Sequence, residues 1–244
     1  MPHLSIVIPA YNEKERLPRT LERMLPYLRA QDVSFEIVVS DDGSTDETAA
    51  LVRAMSKEAP ELRLLSDGVN RGRGAAVKRG IADARGDLIL ETDSDGSVAD
   101  EAIGRFVRYL DAHPEAAVVF GSREIAGARI VVWQPPLRVF LGYGLLYLTR
   151  FLFGMWSTTD FTLGFKMYRR DAARDIFAHQ YDPYFVAEAE KCFIAKLRGH
   201  TFVELPVTWT DDPNSRVRPA RDVPRALKGL AAIMWRYVRG VYRK

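Results

Sequence analysis

Gly86-Asp87-Leu88-Ile89-Leu90-Glu91-Thr92-Asp93-Ser94-Asp95-Gly96-Ser97 is the stretch from which the fold is read. Leu88, Ile89 and Leu90 form a short apolar run, the pattern of a strand buried in a parallel sheet. The run ends in acids and small residues. Asp93 and Asp95 stand two apart, so in extended backbone their carboxylates point the same way. Gly96 lets the chain turn sharply after them. Two carboxylates on one side of a strand end suit a hard divalent cation that keeps part of its shell for substrate phosphates. A plain strand-to-helix turn, with Ser97 or Asp100 capping the next helix, accounts for the same residues.

Upstream, Leu4-Ser5-Ile6-Val7-Ile8 reads as a buried strand. Pro9-Ala10-Tyr11-Asn12-Glu13 is expected to end it, since Pro9 has no N–H for a ladder. A helix over 17–30 follows, then an apolar strand over 35–39 broken by Ser40-Asp41-Asp42-Gly43-Ser44-Thr45-Asp46. Thr45 or Asp46 can cap a helix running to about 56. A strand over 62–65, a Gly-rich loop over 67–74 and a helix over 75–84 come next. Beyond the quoted stretch lie a helix over 100–113 and a strand over 117–120. Strands alternating with helices predict a doubly wound, parallel α/β sheet. Every polar loop follows the carboxyl end of a strand, the edge where open α/β sheets bind ligands. The second half is less regular. Residues 137–156 are rich in Phe, Leu, Tyr and Trp, 160–168 and 203–209 read as strands or their flanks, and 188–198 as a helix. A loop rich in Pro, Arg and Asp spans 211–222, and a helix closes the chain over 222–244.

The chain has 244 residues, 47% hydrophobic and 27% charged, with a formal net charge of only +3. That composition is ordinary for a globular protein and gives no sign of a nucleic-acid partner. The single cysteine, Cys192, excludes an intrachain disulfide and reads as cytosolic. The opening apolar run is too short for a secretory signal. The longest apolar run, 139–149, lies between Arg138 and Arg150 and falls short of the roughly 20 residues needed to span a bilayer.

Asn70-Arg71-Gly72-Arg73-Gly74-Ala75-Ala76-Val77-Lys78 puts glycines and cations at a helix N-terminus, where outward amides favour an anion. The dinucleotide fingerprint fails, because its third glycine would stand at Val77. The other reading is a flexible turn with a solvated basic face. Asp41-Asp42-Gly43-Ser44 can be a plain turn with a cap, or acids for a base or ribose. Together, acids for a base, a basic Gly-rich loop and an acid pair for a metal describe a nucleoside-diphosphate site.

Val7-Ile8-Pro9-Ala10-Tyr11-Asn12-Glu13, Asp41-Asp42-Gly43-Ser44-Thr45-Asp46, the 70–76 loop and Asp93-Ser94-Asp95, in this order, resemble the inverting family 2 glycosyltransferases of GT-A fold. The second half resembles the dolichyl- and polyprenyl-phosphate glucosyl and mannosyl transferases: Gly121-Ser122-Arg123, then Asp160-Phe161-Thr162-Leu163-Gly164-Phe165-Lys166, then Glu204-Leu205-Pro206-Val207-Thr208-Trp209 and Ser215-Arg216-Val217. It departs from that branch at Phe161, Thr162 and Leu163, at Asn214 for Gly, at Arg216 for Lys and at Glu188 for Asp. Asp93-Ser94-Asp95-Gly96 is nearer the glucosyl pattern, which leans toward UDP-glucose over GDP-mannose. The resemblance implies one GT-A domain over 1–221, with a nucleotide-sugar half (1–122) and an acceptor half (123–221), and a basic amphipathic helix over 222–244.

The resemblance also implies roles. Asp95 contacts Mg²⁺ or Mn²⁺ directly, and Asp93 serves the ribose or the metal shell. Pro9, Ala10, Tyr11, Asn12, Glu13, Asp41, Asp42, Asn70, Arg71, Gly72, Gly74, Lys78 and Ser94 hold the nucleotide sugar. A lipid phosphate is already ionised near neutral pH, so it needs cations rather than a strong base. Arg123, Arg138 and Arg216 are the candidates, against ordinary surface arginines. Asp160, Lys166, Glu188 and Glu190 face sugar or acceptor, the three acids alternatively serving as internal salt-bridge partners. The rivals are a saccharide or small-molecule acceptor with Asp160 or Glu188 as base, a sugar-1-phosphate nucleotidyltransferase, and a membrane scaffold without turnover. In the last helix Val223, Ala226, Leu227, Leu230, Met234, Tyr237, Val238 and Val241 recur at helical spacing. Arg225, Lys228, Arg236, Arg239 and Arg243 lie mostly off that stripe. Such a helix suits peripheral contact with an anionic, cytoplasmic membrane face, or packing on the domain with a solvated back.

Overall fold

Alternation along three strands builds two core layers. The structure, a computed structural model, describes residues 1–184, 186–212 and 219–243. Strands β1 (Leu4–Ala10), β2 (Phe35–Asp41) and β4 (Leu88–Glu91) pair in parallel, β1 in the middle. Ile6, Ile8, Ile37, Val39, Leu88 and Leu90 share one buried cluster with Leu21 and Met24 of α1 (Leu17–Arg29) and Phe106 of α4 (Glu101–Ala112). The residues between them, Val7, Val38 and Ile89, join the other cluster with Val77 and Ile81 of α3 (Arg73–Asp83) and Ala173 of α6 (Arg170–Ala178). A sheet covered on both faces needs apolar side chains at every position, which is why these strands read as continuous runs.

The sheet order is β3 (Leu62–Ser66), β2, β1, β4, β7 (Lys166–Arg169), β5 (Val118–Ser122), β8 (Phe202–Pro206). The sheet is mostly parallel, as the GT-A resemblance implies, with one exception: β7 lies between β4 and β5 and is antiparallel to both. It comes from the less regular second half and is the splice between the two halves. Strands β6 (Arg129–Val132) and β9 (Thr208–Thr210) form a separate parallel pair. The order reverses about β1, which sets the ligand crevice at the carboxyl ends of β1, β2 and β4.

Pro9 does not end β1 as expected. Val7 accepts the N–H of Thr92 at 3.1 Å, so odd residues of β1 face β4. That ladder stops at the Val7–Glu91 pair, and Pro9 faces the space beyond it, where no N–H is needed. Ala10 still accepts from Asp42 at 2.7 Å on the other side. Helix α2 (Thr48–Glu58) has Glu47 at its N-cap with no side-chain cap; Asp46, one residue before it, accepts the Thr48 N–H at 2.9 Å. Asp100 precedes α4 but makes no side-chain cap; its carboxylate is taken by Arg23 at 2.7 and 3.0 Å.

The apolar second half divides between core and surface. Helix α5 (Pro136–Phe153) buries Leu146, Thr149 and Phe153 and exposes Leu137, Phe140, Tyr147 and Phe151. Helix α8 (Pro219–Val238) buries Ala226, Leu230 and Ile233 in the second cluster, beside Val186 and Phe193 of the α7 (Ala187–Leu197) region. Val223, Leu227, Trp235 and Val238 remain exposed, so the apolar stripe expected on this helix is only partly covered. Among the described residues, no helix is long and apolar enough to cross a membrane.

Candidate active site

The acidic turn is fixed by its neighbours rather than by its own acids. The Thr20 hydroxyl donates to the Ser94 carbonyl at 2.9 Å, and the Ser97 N–H donates to Asp95 at 3.0 Å. Gly96 has φ +64, and a Cβ there would stand 2.9 Å from the Thr20 hydroxyl and 3.0 Å from the Arg23 guanidinium. Only glycine fits that turn without strain. Burial and the neighbouring Asp93 push the Asp95 carboxyl above its ordinary range. A carboxylate destabilised in this way gains from a cation. The pair therefore fits a divalent metal that takes its remaining ligands from substrate or water; among the described residues no cluster of three or more His, Cys, Asp or Glu surrounds it.

Arg73 anchors the turn to α7. Its guanidinium donates twice to one oxygen of Asp93, at 2.9 and 2.6 Å, and to Glu188 at 2.5 Å. Behind it lies a closed ion network. Lys166 donates to Glu188 at 2.5 Å, and Lys191 donates to Glu188 at 2.7 Å and to both oxygens of Glu91 at 2.6 Å. Burial raises the Glu188 carboxyl, but Lys166, Lys191 and Arg73 outweigh it and hold the group well below the ordinary range. Glu188 and Lys166 are thus structural ion-pair partners, the alternative reading offered for the acid.

The Gly-rich loop departs from expectation. The N–H groups of Arg71 and Gly72 each donate to Asp42 at 2.8 Å, and Gly74 and Ala75 donate to the Pro183 carbonyl at 2.9 and 3.4 Å. The anion these amides hold is the protein's own carboxylate. Gly72 (φ +102) leaves no room for a Cβ, which would meet the Pro183 carbonyl at 2.4 Å and the Tyr184 ring at 2.8 Å. Gly74 is packed on Asp182 and Ala187 in the same way. Lys78 points away from the crevice, donating to Gln180 at 2.7 Å, and Arg71 pairs with Asp67. The Asp41 carboxylate accepts from the Ser66 hydroxyl at 2.7 Å and the Ser44 N–H at 3.2 Å. Asn12 accepts from the Thr45 N–H at 2.7 Å, tying the first loop to the second.

Just beyond β5, Arg123 forks onto Asp160 at 2.7 and 3.0 Å, donates to Thr162 at 2.9 Å and lies 5.0 Å from the Trp209 ring. Burial works against the Asp160 charge, but Arg123 and Thr162 outweigh it and lower the carboxyl below its ordinary range. Arg138 pairs with Asp211 at 3.3 Å. Glu190 lies outside the crevice wall; it accepts from the Tyr242 hydroxyl at 2.5 Å and from the N–H groups of Tyr181 and Asp182 at 2.9 and 2.6 Å. It braces the 181–184 loop and the end of the chain. Arg216, with Asn214, Ser215 and Val217, lies outside the described residues.

One crevice of about 880 Å³ gathers Pro9, Ala10, Tyr11, Glu13, Asp42, Asn70, Gly72, Asp93, Ser94, Asp95, Arg123, Arg138, Asp160 and Glu188 of the predicted set. It continues between α5 and α8, along Val139, Phe140, Leu146, Val223 and Leu227. Among the described residues its wall carries eleven acids against six arginines, so it admits a phosphate only with a compensating cation. The sequence reading missed Arg16, Asp182 and Tyr184 here, placed Arg225 only on the basic face of the last helix, and named Arg73 and Trp209 only within their motifs. Arg16 belongs to no motif; it joins Glu13 at 2.6 Å and Asp212 at 2.8 Å.

An acidic turn after a central strand, opening on a crevice at the carboxyl edge of a mostly parallel sheet, defines the GT-A class of nucleotide-sugar transferases. The sequence profile of Glycosyl transferase family 2 matches residues 5–177, and the chain belongs to that family. A dolichyl-phosphate beta-glucosyltransferase of Trichomonas vaginalis is 36% identical over 224 residues, 88% of this chain and 68% of that protein. The dolichyl-phosphate beta-glucosyltransferase of Homo sapiens is 30% identical over 251 residues, 98% of this chain and 77% of that protein. The fold is also that of glucosyl-3-phosphoglycerate synthase from Mycobacterium tuberculosis, solved with Mn²⁺, uridine diphosphate and glucosyl-3-phosphoglycerate (TM-score 0.65, 19% identity, 96% of this chain and 78% of that one).

Proposed function

We propose that the protein transfers glucose from UDP-glucose to dolichyl or polyprenyl phosphate with inversion, with a divalent metal held at Asp93 and Asp95. The observation that carries this reading is the continuity of the crevice. One cavity joins the acidic turn to the apolar walls of α5 and α8, as a charged donor and a lipid-borne acceptor require. The dolichyl-phosphate glucosyltransferases among the relatives support the acceptor, and the Asp93-Ser94-Asp95-Gly96 pattern supports the glucosyl donor.

An oxygen of the lipid phosphate bonds to the anomeric carbon as its bond to the diphosphate breaks, and UDP leaves. A bound metal offsets the charge that builds on the leaving diphosphate. Arg73 orients Asp93, and the Ser97 amide holds Asp95. A hydroxyl acceptor needs a base, but Asp160 and Glu188 are both held below the ordinary range by their cations. An ionised phosphate needs none, which favours it over a saccharide. We assign peripheral contact with an anionic, cytoplasmic membrane face to the exposed apolar residues of α5 and α8, flanked by Arg225, Lys228 and Arg239.

The test is a donor panel. Protein, polyprenyl phosphate and Mn²⁺ or Mg²⁺ are incubated with UDP-glucose, UDP-N-acetylglucosamine or GDP-mannose, and the organic phase is analysed. Glucolipid from UDP-glucose is the expected product. Release of UDP without glycolipid moves the acceptor to a soluble molecule, and release of pyrophosphate indicates a nucleotidyltransferase.

A further inference from the structure

Six arginines line the crevice among the described residues, and five are already neutralised by carboxylates. Arg16 pairs with Glu13 and Asp212, Arg73 with Asp93 and Glu188, Arg123 with Asp160, Arg138 with Asp211, and Arg221 with Asp222. An incoming phosphate competes with those partners for each of these five. The sixth, Arg225 on α8, is exposed, and among the described residues it meets only the Tyr184 ring, 5.9 Å from the guanidinium carbon. Tyr184 packs against Gly72, at the donor end of the crevice. On the other side of Arg225, Val223, Ala226 and Leu227 of the same helix line the apolar end. A cation with no carboxylate partner among the described residues thus stands where an apolar wall turns polar. A lipid phosphomonoester has the matching form, an apolar tail ending in a dianion, and a guanidinium forks onto phosphate oxygens.

We propose that Arg225 is the docking residue for the phosphate of the acceptor. It steers the dianion past the carboxylates of the wall toward the sugar, and the Tyr184 face keeps the guanidinium over the crevice mouth. The proposal rests on the acceptor reading above and adds to it a residue outside the motifs that carried that reading.

The experiment uses the full chain with UDP-glucose, Mn²⁺ and farnesyl phosphate in neutral detergent micelles, so that vesicle charge plays no part. Arg225→Gln is compared with Arg225→Lys and with Lys57→Gln, a charge removal on the remote helix α2. Arg225→Gln is expected to raise KM for farnesyl phosphate roughly 10-fold or more, the worth of one charge-assisted hydrogen bond. KM for UDP-glucose and the melting temperature stay unchanged, Arg225→Lys restores part of the loss, and Lys57→Gln behaves as wild type. An unchanged farnesyl phosphate KM overturns the proposal, as does a loss confined to UDP-glucose. Calorimetric binding of farnesyl phosphate separates the two readings. If wild type makes no glucolipid yet binds farnesyl phosphate through Arg225, the reaction reading fails and the dock stands. If wild type neither turns over nor binds farnesyl phosphate, both fail.

Discussion

Replacing Lys191 by methionine preserves side-chain length and removes one buried charge. The ammonium, 1% exposed, donates to both oxygens of Glu91 and to Glu188. Without it, Glu188 keeps Arg73 and Lys166, whereas among the described residues Glu91 keeps only the Tyr168 hydroxyl at 3.3 Å and the Lys166 ammonium at 4.0 Å. The loss therefore falls on Glu91, which is fully buried. Leaving one partner of a buried ion pair uncompensated costs about 3–5 kcal/mol. At roughly 2–4 °C per kcal/mol for a chain of this size, the melting temperature falls by something on the order of 6–20 °C. Urea unfolding of Lys191→Met and of the double variant Glu91→Gln/Lys191→Met measures it; the double variant removes both charges and should recover at least half of the deficit. The pH dependence has a fixed sign. Burial and Glu188 already push the Glu91 carboxyl above its ordinary value, against the pull of Lys191, Lys166 and Arg73, and removing Lys191 raises it further. A group whose folded value exceeds its unfolded value contributes stability on the acid side and loses it as pH rises through the folded value. The deficit of Lys191→Met should thus shrink as the pH is lowered from neutral toward acid. A deficit below about 1 kcal/mol, a double variant no more stable than the single, or a deficit that grows toward acid refutes the reasoning.

Three further outcomes are expected. Asp95→Asn lowers glucolipid formation by roughly 100-fold or more and weakens Mn²⁺ binding measured by titration calorimetry, with the melting temperature held. UDP binds at least about 10-fold more weakly when Mn²⁺ is withheld, because the crevice wall is acidic and its loop amides are occupied; equal affinity with and without metal contradicts that account. Phe151→Glu, at a side chain 73% exposed on α5, lowers flotation with anionic vesicles roughly 10-fold without unfolding the protein; unchanged flotation removes α5 from the membrane face.

The parts of the fold legible in the sequence were those whose signal is local. Leu88-Ile89-Leu90 and Leu4–Ile8 announce buried strands because every position must be apolar in a sheet covered on both faces. β7 does not announce itself. It opens on Lys166, and a lysine at 0% exposure makes sense only once Glu188, 22 residues on, and Glu91 from another strand have met it. The site divides in the same way. Asp93 and Asp95 are two apart, so their common direction follows from strand geometry alone. What Asp160 and Glu188 do depends on Arg123, 37 residues away, and Arg73, 115 away. A single sequence leaves such acids open between sugar ligand and ion-pair partner. The structure pairs both, and the pairing lowers their carboxyls, which weakens each as a base.

The Gly-rich loop shows why a correct motif can mislead about its atoms. The pattern asks for outward amides at a helix start, and the structure supplies them, but Asp42 and the Pro183 carbonyl fill them. Each of those contacts joins the loop to a different part of the chain: Asp42 to the end of β2, Pro183 to the segment that Glu190 braces. The amides therefore fix the crevice's shape instead of its affinity. The attraction for phosphate then falls to charge outside the loop, and among the described residues the wall's own charge is negative. The proposed sources are a cation at the acidic turn for the donor and Arg225 for the acceptor. Dividing the task in this way keeps two anions from competing for one receptor, so donor diphosphate and lipid phosphate can occupy the same crevice together, as a direct displacement requires.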